Sequence, residues 1–297
     1  MEKCLFAYNP QSGKGKIAKK ERYILETLSK KFDVTLLHSQ YAGHIGKYIL
    51  ENGELYDTIV ISGGDGTLNE AINSIARLNK KITLGYIPAG TVNDVAHSLN
   101  IPRNLKKALK TILDGNYFSH DIFKMNDKFG IYVCCSGLFT EASYATSQKS
   151  KKKVGKLAYG LHGVKKLFST KSLKIKLSDD LNTIEGTFAL MLIINSKNVA
   201  GFHLNKKATL DDGLVDVVLV KAKKQRIRFC EVLRVARLFL FGIPQKSSKN
   251  IQVQKLSKFK VELDDNCIVN LDGESIGQGS FDFEVIKQGI NILVPKK

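Results

Sequence analysis

The sequence predicts an α/β domain with a doubly wound, parallel sheet, followed by an antiparallel β-sandwich domain. A chain of 297 residues is too long for one small domain and suits two. In the first part, apolar strand-like runs alternate with helical patterns, whereas from about residue 118 short β-type runs are separated by polar turns. We predict domains at residues 1–122 and 123–297, and the last residues could return to the first domain.

The first domain begins with four predicted strands, at residues 3–7, 34–38, 58–61 and 83–88. Helices are predicted at residues 17–32 and 45–52, after the glycines at residues 63–66, and toward residue 99. In such sheets, ligands bind beyond the carboxyl ends of the strands. The small and polar residues of this domain lie in the loops at that edge, so these loops predict a nucleotide cleft.

The second domain contains seven predicted strands and one helix. The strands are at residues 130–135, 173–177, 187–194, 215–220, 258–262, 267–271 and 281–286. The helix, residues 221–241, would carry Arg226, Arg234 and Arg237 on one face, with apolar residues around much of the remainder. It is either a helix packed on the sandwich with a solvated basic face, or a helix that rests on an anionic membrane.

The formal net charge of +18 is concentrated in two segments of the second domain. Residues 149–176 contain ten Lys and no acid, and residues 221–250 contain nine Lys or Arg and one acid, Glu231. Five cysteines without a C-x-x-C spacing argue against a disulfide framework and a zinc cluster. No run approaches the ~18–20 apolar residues of a membrane span, and the N-terminus lacks a signal peptide pattern, so we expect a cytosolic protein.

The glycine-rich segment at residues 63–70, Gly-Gly-Asp-Gly-Thr-Leu-Asn-Glu, follows the third strand and opens a helix. Backbone N–H groups and a helix N-terminus then point at one place, which is a seat for phosphate. Asp65 would repel a bare phosphate, so it indicates a bridging divalent cation such as Mg2+. A Walker A assignment of the first loop fails, because Tyr8 and Gly15 stand where that motif needs Gly and Ser or Thr.

Two carboxylates near the end of the chain, Asp272 and Glu274, are two positions apart. On a strand, both side chains would face the same way, and one could raise the pKa of the other. A positioned carboxylate can accept the proton of an alcohol during phosphoryl transfer. This pair is therefore a candidate for the catalytic base.

Taken together, these and other motifs resemble the diacylglycerol kinase catalytic-domain family, which includes bacterial lipid kinases and sphingosine and ceramide kinases. The motifs are residues 9–13 (Asn-Pro-Gln-Ser-Gly), 63–70, 90–94 (Gly-Thr-Val-Asn-Asp), Asp121, 211–213 (Asp-Asp-Gly) and 271–274 (Leu-Asp-Gly-Glu). They extend over essentially the full chain. The resemblance implies a nucleotide-binding domain with a fold like that of NAD kinases and phosphofructokinases, and a sandwich domain for the lipid substrate.

The resemblance also implies a set of site residues for ATP and Mg2+. ATP would be bound by Asn9, Pro10, Gln11, Ser12, Gly13, Ser39, Gly63, Gly64, Asp65, Gly66, Thr67, Leu68, Asn69 and Thr91. Asp65, Asp94 and Asp121 would organise the active-site Mg2+ through water. Glu274 would be the base, with Asp272 as its partner or as a metal-linked residue. A second, structural Mg2+ would bind Asp212 and the main-chain carbonyls of Thr209 and Leu214.

The expected reaction is ATP-dependent phosphorylation of the hydroxyl of diacylglycerol, or of a related lipid, to phosphatidic acid. We expect the enzyme to dock reversibly on the inner face of an anionic membrane through its basic segments and not to bind nucleic acid. Sandwich edge strands offer a surface for a homodimer. Two alternatives stay open: an NAD kinase-like enzyme with a soluble substrate, and a non-catalytic basic protein that binds lipid or nucleic acid. No motif fixes which lipid is used.

Overall fold

A computed structural model of the protein describes residues 1–138, 171–224 and 226–296. The strands of this part of the chain form one continuous mixed sheet. They are β1 (Glu2–Tyr8), β2 (Phe32–His38), β3 (Thr58–Gly63), β4 (Thr83–Pro88), β5 (Asn116–Met125), β6 (Lys128–Gly130), β7 (Val133–Gly137), β8 (Leu173–Ser178), β9 (Thr183–Ile194), β10 (Val215–Lys221), β11 (Ile251–Leu256), β12 (Lys258–Leu263), β13 (Ile268–Leu271), β14 (Glu274–Gln278) and β15 (Phe281–Val294). The α-helices are α1 (Glu21–Leu28), α2 (His44–Asn52), α3 (Asp65–Ile75), α4 (Asp94–Ser98), α5 (Leu105–Asp114) and α6 (Phe229–Phe241).

The first half is a parallel sheet in the order β2-β1-β3-β4. In this sheet, Tyr8 pairs with His38 on one side and Ser62 on the other, so β1, β2 and β3 end at the same level. The apolar residues of α1 and α5 pack on one face and those of α2 and α3 on the other. The register thus brings the loops after all four strands to one edge, as the sequence predicted.

The second half consists of antiparallel strands around a separate apolar core. The rings of Phe123, Phe259 and Phe283 stack in this core, with centroids 4.7–4.9 Å apart. The 12-residue strand β9 pairs with β7, β8 and β10. The predicted fold class, an α/β domain followed by a β-sandwich, is therefore confirmed.

Strand β15 connects the two halves. It runs antiparallel to β5 and β12, and near its end Asn291 pairs in parallel with Thr83 of β4. Its pairing with β5 is irregular between Ile286 and Ile290, where Gln288 adopts a left-handed conformation with φ 52°. The proposed boundary between residues 122 and 123 falls inside β5, and it stays a prediction.

Two predicted helices were too long, the first at both ends and the second at its N-terminal end. Residues 18–20 form a separate 3-10 turn before α1, α1 ends at Leu28, and residue 32 already belongs to β2, where its side chain is buried. The predicted helix at residues 221–241 begins only at Phe229, because β10 continues through Lys221. The carboxylate of Glu231 caps the helix start, because it accepts hydrogen bonds from the backbone N–H of Arg228 over 3.0 Å and from its guanidinium over 3.2 Å.

The basic face predicted for residues 221–241 is also different. Arg226 precedes α6, and the guanidinium of Arg234 lies 3.9 Å from the buried carboxylate of Glu231, so only Arg237 is exposed on the helix itself. Most of the other lysine-rich segment, residues 149–170, lies outside the described residues. None of the helices in the described ranges has the length and apolar character that a bilayer-spanning segment needs.

Candidate active site

The glycine-rich segment forms the junction between β3 and α3, as predicted. Gly64 is the N-cap of α3, and Asp65 lies in the first helical turn. The loop after β4 packs against this junction so closely that a Cβ atom on Gly90 would lie 2.5 Å from the Cα atom of Gly64. The N–H of Ala89 also donates to the carbonyl of Gly63 over 2.8 Å. Glycine is therefore required at position 90, because two backbones touch there.

Asn93 holds the second of these loops in shape. It is fully buried and left-handed, with φ 60°. Its side-chain oxygen accepts a hydrogen bond from the N–H of Gly90 over 2.9 Å, and its amide nitrogen donates to the carbonyl of Gly90 over 2.9 Å. Asparagine tolerates this conformation better than most residues, so the same side chain fixes the turn and permits its geometry.

Asp65 is the carboxylate at the centre of the two loops. Its Oδ2 atom accepts a hydrogen bond from the N–H of Asn93 over 2.8 Å, whereas its Oδ1 atom is buried and meets no donor in the described part of the chain. Burial raises the pKa of Asp65, and backbone N–H groups around residue 94 partly oppose this effect. A buried carboxylate oxygen without a donor is an open position for a cation.

Mg2+ fits this position only if most of its ligands come from elsewhere. No group of three or more His, Cys, Asp or Glu side chains within the described ranges is arranged to hold a metal ion. Mg2+ often binds through one or two carboxylates and completes its shell with waters and substrate phosphates. The orphaned oxygen of Asp65 suits that kind of site.

Asp94 lies close to Asp65 but is engaged by the second half of the molecule. Its two oxygens accept hydrogen bonds from the N–H groups of Ala200 and Gly201, over 2.6 and 2.9 Å. Burial raises the pKa of Asp94, and the negative charge of Asp65 raises it further. Asp94 therefore joins α4 to the turn at residues 199–202.

Asp272 and Glu274 do not share a strand, which corrects the predicted geometry of this pair. Asp272 and Gly273 form the turn between β13 and β14, with φ 50° and 89°. The carboxylate of Asp272 is buried and accepts hydrogen bonds from three successive N–H groups, those of residues 131–133, over 2.7–3.0 Å. Burial raises the pKa of Asp272 to about 7 despite these bonds. The carboxylate of Asp272 therefore holds the backbone of residues 131–133 in position.

Glu274, by contrast, reaches the glycine-rich junction from the second half. Its Oε1 atom lies 3.6 Å from the place that a Cβ atom would take on Gly66. Glu274 is exposed at the start of β14. Although the residue as a whole is exposed, partial burial of its carboxyl group raises the pKa of Glu274. The charge of Glu70 raises this pKa further, and Lys128 lowers it. A carboxylate with a raised pKa beside a phosphate seat is suited to accept a proton.

Asp121 faces a different part of the molecule. Its carboxylate accepts hydrogen bonds from the N–H groups of Gly213 and Gln288, each over 2.6 Å. Burial raises its pKa, and Asp212 and Asp211 contribute to the same shift. The contacts of Asp121 thus join the irregular part of β15 to the loop at residues 211–213, and its part in an Mg2+ network stays a prediction.

In the loop predicted to hold a structural Mg2+, the carboxylate of Asp212 is paired with the ammonium of Lys255 from β11. One oxygen of Asp212 accepts a hydrogen bond from the N–H of Leu214 over 3.1 Å, and the other accepts one from the ammonium of Lys255 over 2.8 Å. Thr209 lies just before this loop and is exposed. Because both carboxylate oxygens are engaged, Mg2+ at this loop would have to displace Lys255 from Asp212, and the structural Mg2+ site stays a prediction.

The remaining predicted nucleotide contacts lie at the same sheet edge. In the loop after β1, the side-chain oxygen of Asn9 accepts a hydrogen bond from the N–H of Gln11 over 2.9 Å. The main-chain carbonyl of Asn9 accepts another from the N–H of Ser12. Ser39 follows β2 and donates its N–H to the carbonyl of Tyr8 over 3.0 Å. Thr91 is exposed between β4 and α4. These residues lie at the same edge of the sheet as the junction at residues 63–66, and their contacts with ATP stay predictions.

Two further side chains at the site were not predicted. Arg103 donates from its guanidinium to the carbonyl of Gly90 over 3.1 Å, so it brings a positive charge to the glycine loops. The hydroxyl of Tyr132 lies 3.5 Å from the place of a Cβ atom on Gly273; burial raises its pKa, and the charges of Asp272, Asp65 and Asp94 raise it further. Neither residue lies in a sequence motif. Each is brought to the site only by packing between distant parts of the chain.

Comparison with known proteins covers the whole chain. The family model "Diacylglycerol kinase catalytic domain" matches residues 3–125, and the model "YegS C-terminal NAD kinase beta sandwich-like domain" matches residues 133–294. The diacylglycerol kinase of Bacillus subtilis strain 168 is 31% identical over 100% of this chain and 98% of its own length. That of Staphylococcus carnosus strain TM300 is 33% identical over 97% and 94%, respectively.

A crystal structure of a diacylglycerol kinase from Bacillus anthracis strain Sterne shares the fold. It superposes with a TM-score of 0.78 over 99% of this chain and 97% of the other, at 23% sequence identity. The sequence matches, which extend over both halves, and the shared fold agree with the motifs at the glycine-rich junction. The chain therefore belongs to the diacylglycerol kinase family.

Proposed function

We propose that this protein is an ATP- and Mg2+-dependent lipid kinase that phosphorylates the hydroxyl of diacylglycerol, or of a related lipid, to give phosphatidic acid. The observation that carries the proposal is the approach of Glu274 to Gly66. It places a carboxylate from the second half beside the phosphate seat of the first, so a nucleotide and an acceptor alcohol could meet between them.

The residues of the chain would divide the work of the reaction. The loops after the four parallel strands would hold ATP, and Arg103 would add a positive charge beside them. As the hydroxyl oxygen of the lipid forms its bond to the γ-phosphorus and ADP leaves, Glu274 would take the hydroxyl proton. Asp272 would act by holding residues 131–133 rather than as a base.

Asp65 would hold the cation through its Oδ1 atom. When bound, Mg2+ would neutralise charge on the phosphoryl oxygens during transfer. The carboxylates of Asp94 and Asp121 would support the site from outside, because each is bonded to backbone N–H groups of the second half.

Phosphotransfer from ATP to a panel of acceptors tests the proposal. The panel contains diacylglycerol and sphingosine in mixed micelles, and NAD in solution. We expect transfer to diacylglycerol, and a loss of roughly 100- to 10,000-fold in turnover for Glu274→Gln, because the general base is removed. Transfer to NAD alone would establish the soluble-substrate alternative, and full turnover by the variant would remove Glu274 as the base.

We also propose that the enzyme works on the cytoplasmic face of an anionic membrane. The segment at residues 221–250 has a large excess of basic residues. Each basic residue near an anionic surface contributes about 1 kcal/mol of attraction. Such attraction would bring the cleft to a substrate that does not leave the bilayer.

A further inference from the structure

Helix α6 has an apolar face on its outer side. It packs on β10 through Glu231, Val235 and Leu238, which are buried. On the other side, Leu233, Leu240 and Phe241 are 52%, 71% and 73% exposed. Together with Arg237 they occupy positions i, i+4, i+7 and i+8, which lie on one helical face. We call these four residues the α6 stripe.

The charged residues that flank the α6 stripe in sequence are basic, apart from one buried acid. The one acid between residues 221 and 250, Glu231, is buried and bonded to Arg228 over 3.2 Å. The guanidinium of Arg237 lies over the ring of Phe241, 5.6 Å from its centroid. The other exposed charges that flank the helix are Lys223, Lys224, Arg226, Lys246 and Lys249. An apolar stripe between cations matches a surface that is negatively charged outside and apolar beneath.

A second copy of the chain is a poorer match for the stripe. Symmetric contact through α6 would bring two sets of these cations together, and the repulsion would oppose the gain from apolar burial. An anionic bilayer provides phosphate groups for the basic residues and acyl chains for the apolar ones. Charge complementarity therefore favours the bilayer.

We propose that the α6 stripe inserts into the headgroup region of an anionic bilayer and is the apolar anchor of this enzyme. The inference rests on the proposed function, because it supplies the contact with the membrane in which the substrate lies. It adds an apolar component to the electrostatic attraction. The three apolar side chains of the stripe, Leu233, Leu240 and Phe241, would provide this component.

The same helix is connected to the active site through one short turn. The ring of Phe239 packs edge-on against Phe202, with centroids 5.5 Å apart. Phe202 ends the turn whose N–H groups bind Asp94, and a Cβ atom on Gly201 would lie 3.8 Å from Val92 in the loop after β4. A bilayer bound at the α6 stripe would therefore have a fixed position relative to the cleft.

The chain contains no tryptophan, so a single substitution gives a specific fluorescent reporter. We would compare Leu240→Trp with Leu181→Trp, since Leu181 is 89% exposed in the turn between β8 and β9 and serves as a matched control. The vesicles would contain phosphatidylcholine and phosphatidylglycerol with brominated acyl chains. We expect a blue-shifted and quenched emission for Leu240→Trp and no change for Leu181→Trp.

Two outcomes would overturn the inference. One is binding of Leu240→Trp to the vesicles without quenching. The other is an emission that is already blue-shifted without vesicles, in a protein that sediments as an oligomer, which would mean that a second copy covers the stripe. Unchanged thermal unfolding of both variants would show that they are folded.

A second pair of variants measures the contribution of the stripe. Leu240→Ser should weaken vesicle partitioning by about tenfold, since burial of one leucine side chain contributes about 1.5 kcal/mol or more. Leu181→Ser should leave partitioning unchanged. Equal partitioning by the two serine variants and the wild type would contradict the proposal.

A water-soluble, short-chain diacylglycerol separates this inference from the proposed function. If the wild type and Leu240→Ser both phosphorylate it, the kinase activity holds whatever the vesicle result. Transfer without quenching of the Leu240→Trp emission would reject the apolar anchor alone. Absence of transfer to any lipid would reject the kinase, while the quenching experiment would still decide whether the stripe inserts.

Discussion

The carboxylate of Asp272 holds three successive N–H groups of residues 131–133, and this contact has a consequence for stability. In the folded protein its pKa is raised by burial to about 7, from an ordinary value of 3.8. Between these values the unfolded chain has lost the proton that the folded chain retains. The folded state then binds more protons, so the free energy of unfolding falls as the pH rises from about 4 to about 7.

Substitution of Asp272 tests this dependence on pH. Asp272→Asn cannot titrate, so its free energy of unfolding should lose this part of the slope, which amounts to a few kcal/mol, about 1.4 for each pKa unit. Urea unfolding at several pH values between 4 and 7.5 measures it. Asp264→Asn, at an exposed position, is the control and should retain the slope of the wild type. Parallel curves for the wild type and Asp272→Asn would contradict the prediction.

At the scale of single residues, the sequence predicts the structure where the residue types of a motif are those that its local backbone conformation requires. The glycines of residues 63–66 predicted the strand-to-helix junction, because only this kind of loop needs them. Asp272 was placed wrongly on a strand, although the dipeptide Asp-Gly is a signal for a tight turn. Arg103 and Tyr132 could not be predicted, since their positions depend on contacts between distant parts of the chain.

At the scale of elements, the two glycine loops depend on contact between their backbones. A Cβ atom on Gly90 would lie 2.5 Å from the Cα of Gly64, whereas one on Gly66 would meet only the Oε1 atom of Glu274, at 3.6 Å. We expect Gly90→Ala to reduce the free energy of unfolding by about 1–3 kcal/mol, because one loop must move. Gly66→Ala should cost much less, since 3.6 Å is an ordinary contact.

Thermal and urea unfolding of these two variants would give the comparison. The two positions lie in the same site, so loss of activity alone would not separate them. Equal stability of Gly90→Ala and Gly66→Ala would show that the two loops can separate without cost. The contact that fixes the phosphate seat would then be unimportant for the fold.

The loop at residues 209–214 shows which part of a predicted metal site the sequence cannot describe. The sequence identifies the acid, Asp212, but gives no indication that Lys255, from the neighbouring strand β11, lies 2.8 Å from it. Paired strands β10 and β11 bring the two residues together. An ammonium in this position provides the charge that a metal ion would otherwise provide.

Removal of that ammonium should change the response of the protein to Mg2+. Because the pair is partly exposed, we expect Lys255→Met to reduce the free energy of unfolding by less than about 1 kcal/mol. We also expect Mg2+, without nucleotide, to raise the Tm of Lys255→Met more than that of the wild type, since Asp212 is then free to bind it. Calorimetry with Mg2+ and with EDTA measures both. An equal rise for the two proteins would mean that Lys255 does not exclude the metal.

At the scale of the whole molecule, the site depends on contacts between the two halves. Asp94 binds the turn at residues 199–202, Asp121 binds the loop at residues 211–213, and β15 pairs with strands of both halves. The alternation of strands and helices predicted the first half, and the short β-type runs with polar turns predicted the second, because both patterns are local. These patterns could not predict that four carboxylates would hold backbone segments that are distant in sequence; they are those of Asp65, Asp94, Asp121 and Asp272.

The distribution of charge leads to a prediction for the whole protein on a membrane. The net charge of +18 should attract it to vesicles that contain phosphatidylglycerol, and salt should weaken this attraction, because the Debye length falls from ~30 Å at 0.01 M to ~3 Å at 1 M ionic strength. Apolar burial of the α6 stripe does not depend on screening in this way. Vesicle sedimentation over a series of salt concentrations should therefore show a steep fall toward a small remainder.

The vesicle binding that remains at high salt separates the electrostatic contribution from the apolar contribution of the α6 stripe. In Leu240→Ser the fall with salt should persist, because the charges are unchanged, but the binding that remains at high salt should decrease. Vesicles of phosphatidylcholine alone are the control and should bind the wild type weakly at every salt concentration. Binding to anionic vesicles that does not change with salt would reject electrostatic docking, and an undiminished remainder in Leu240→Ser would assign the apolar contact to another surface.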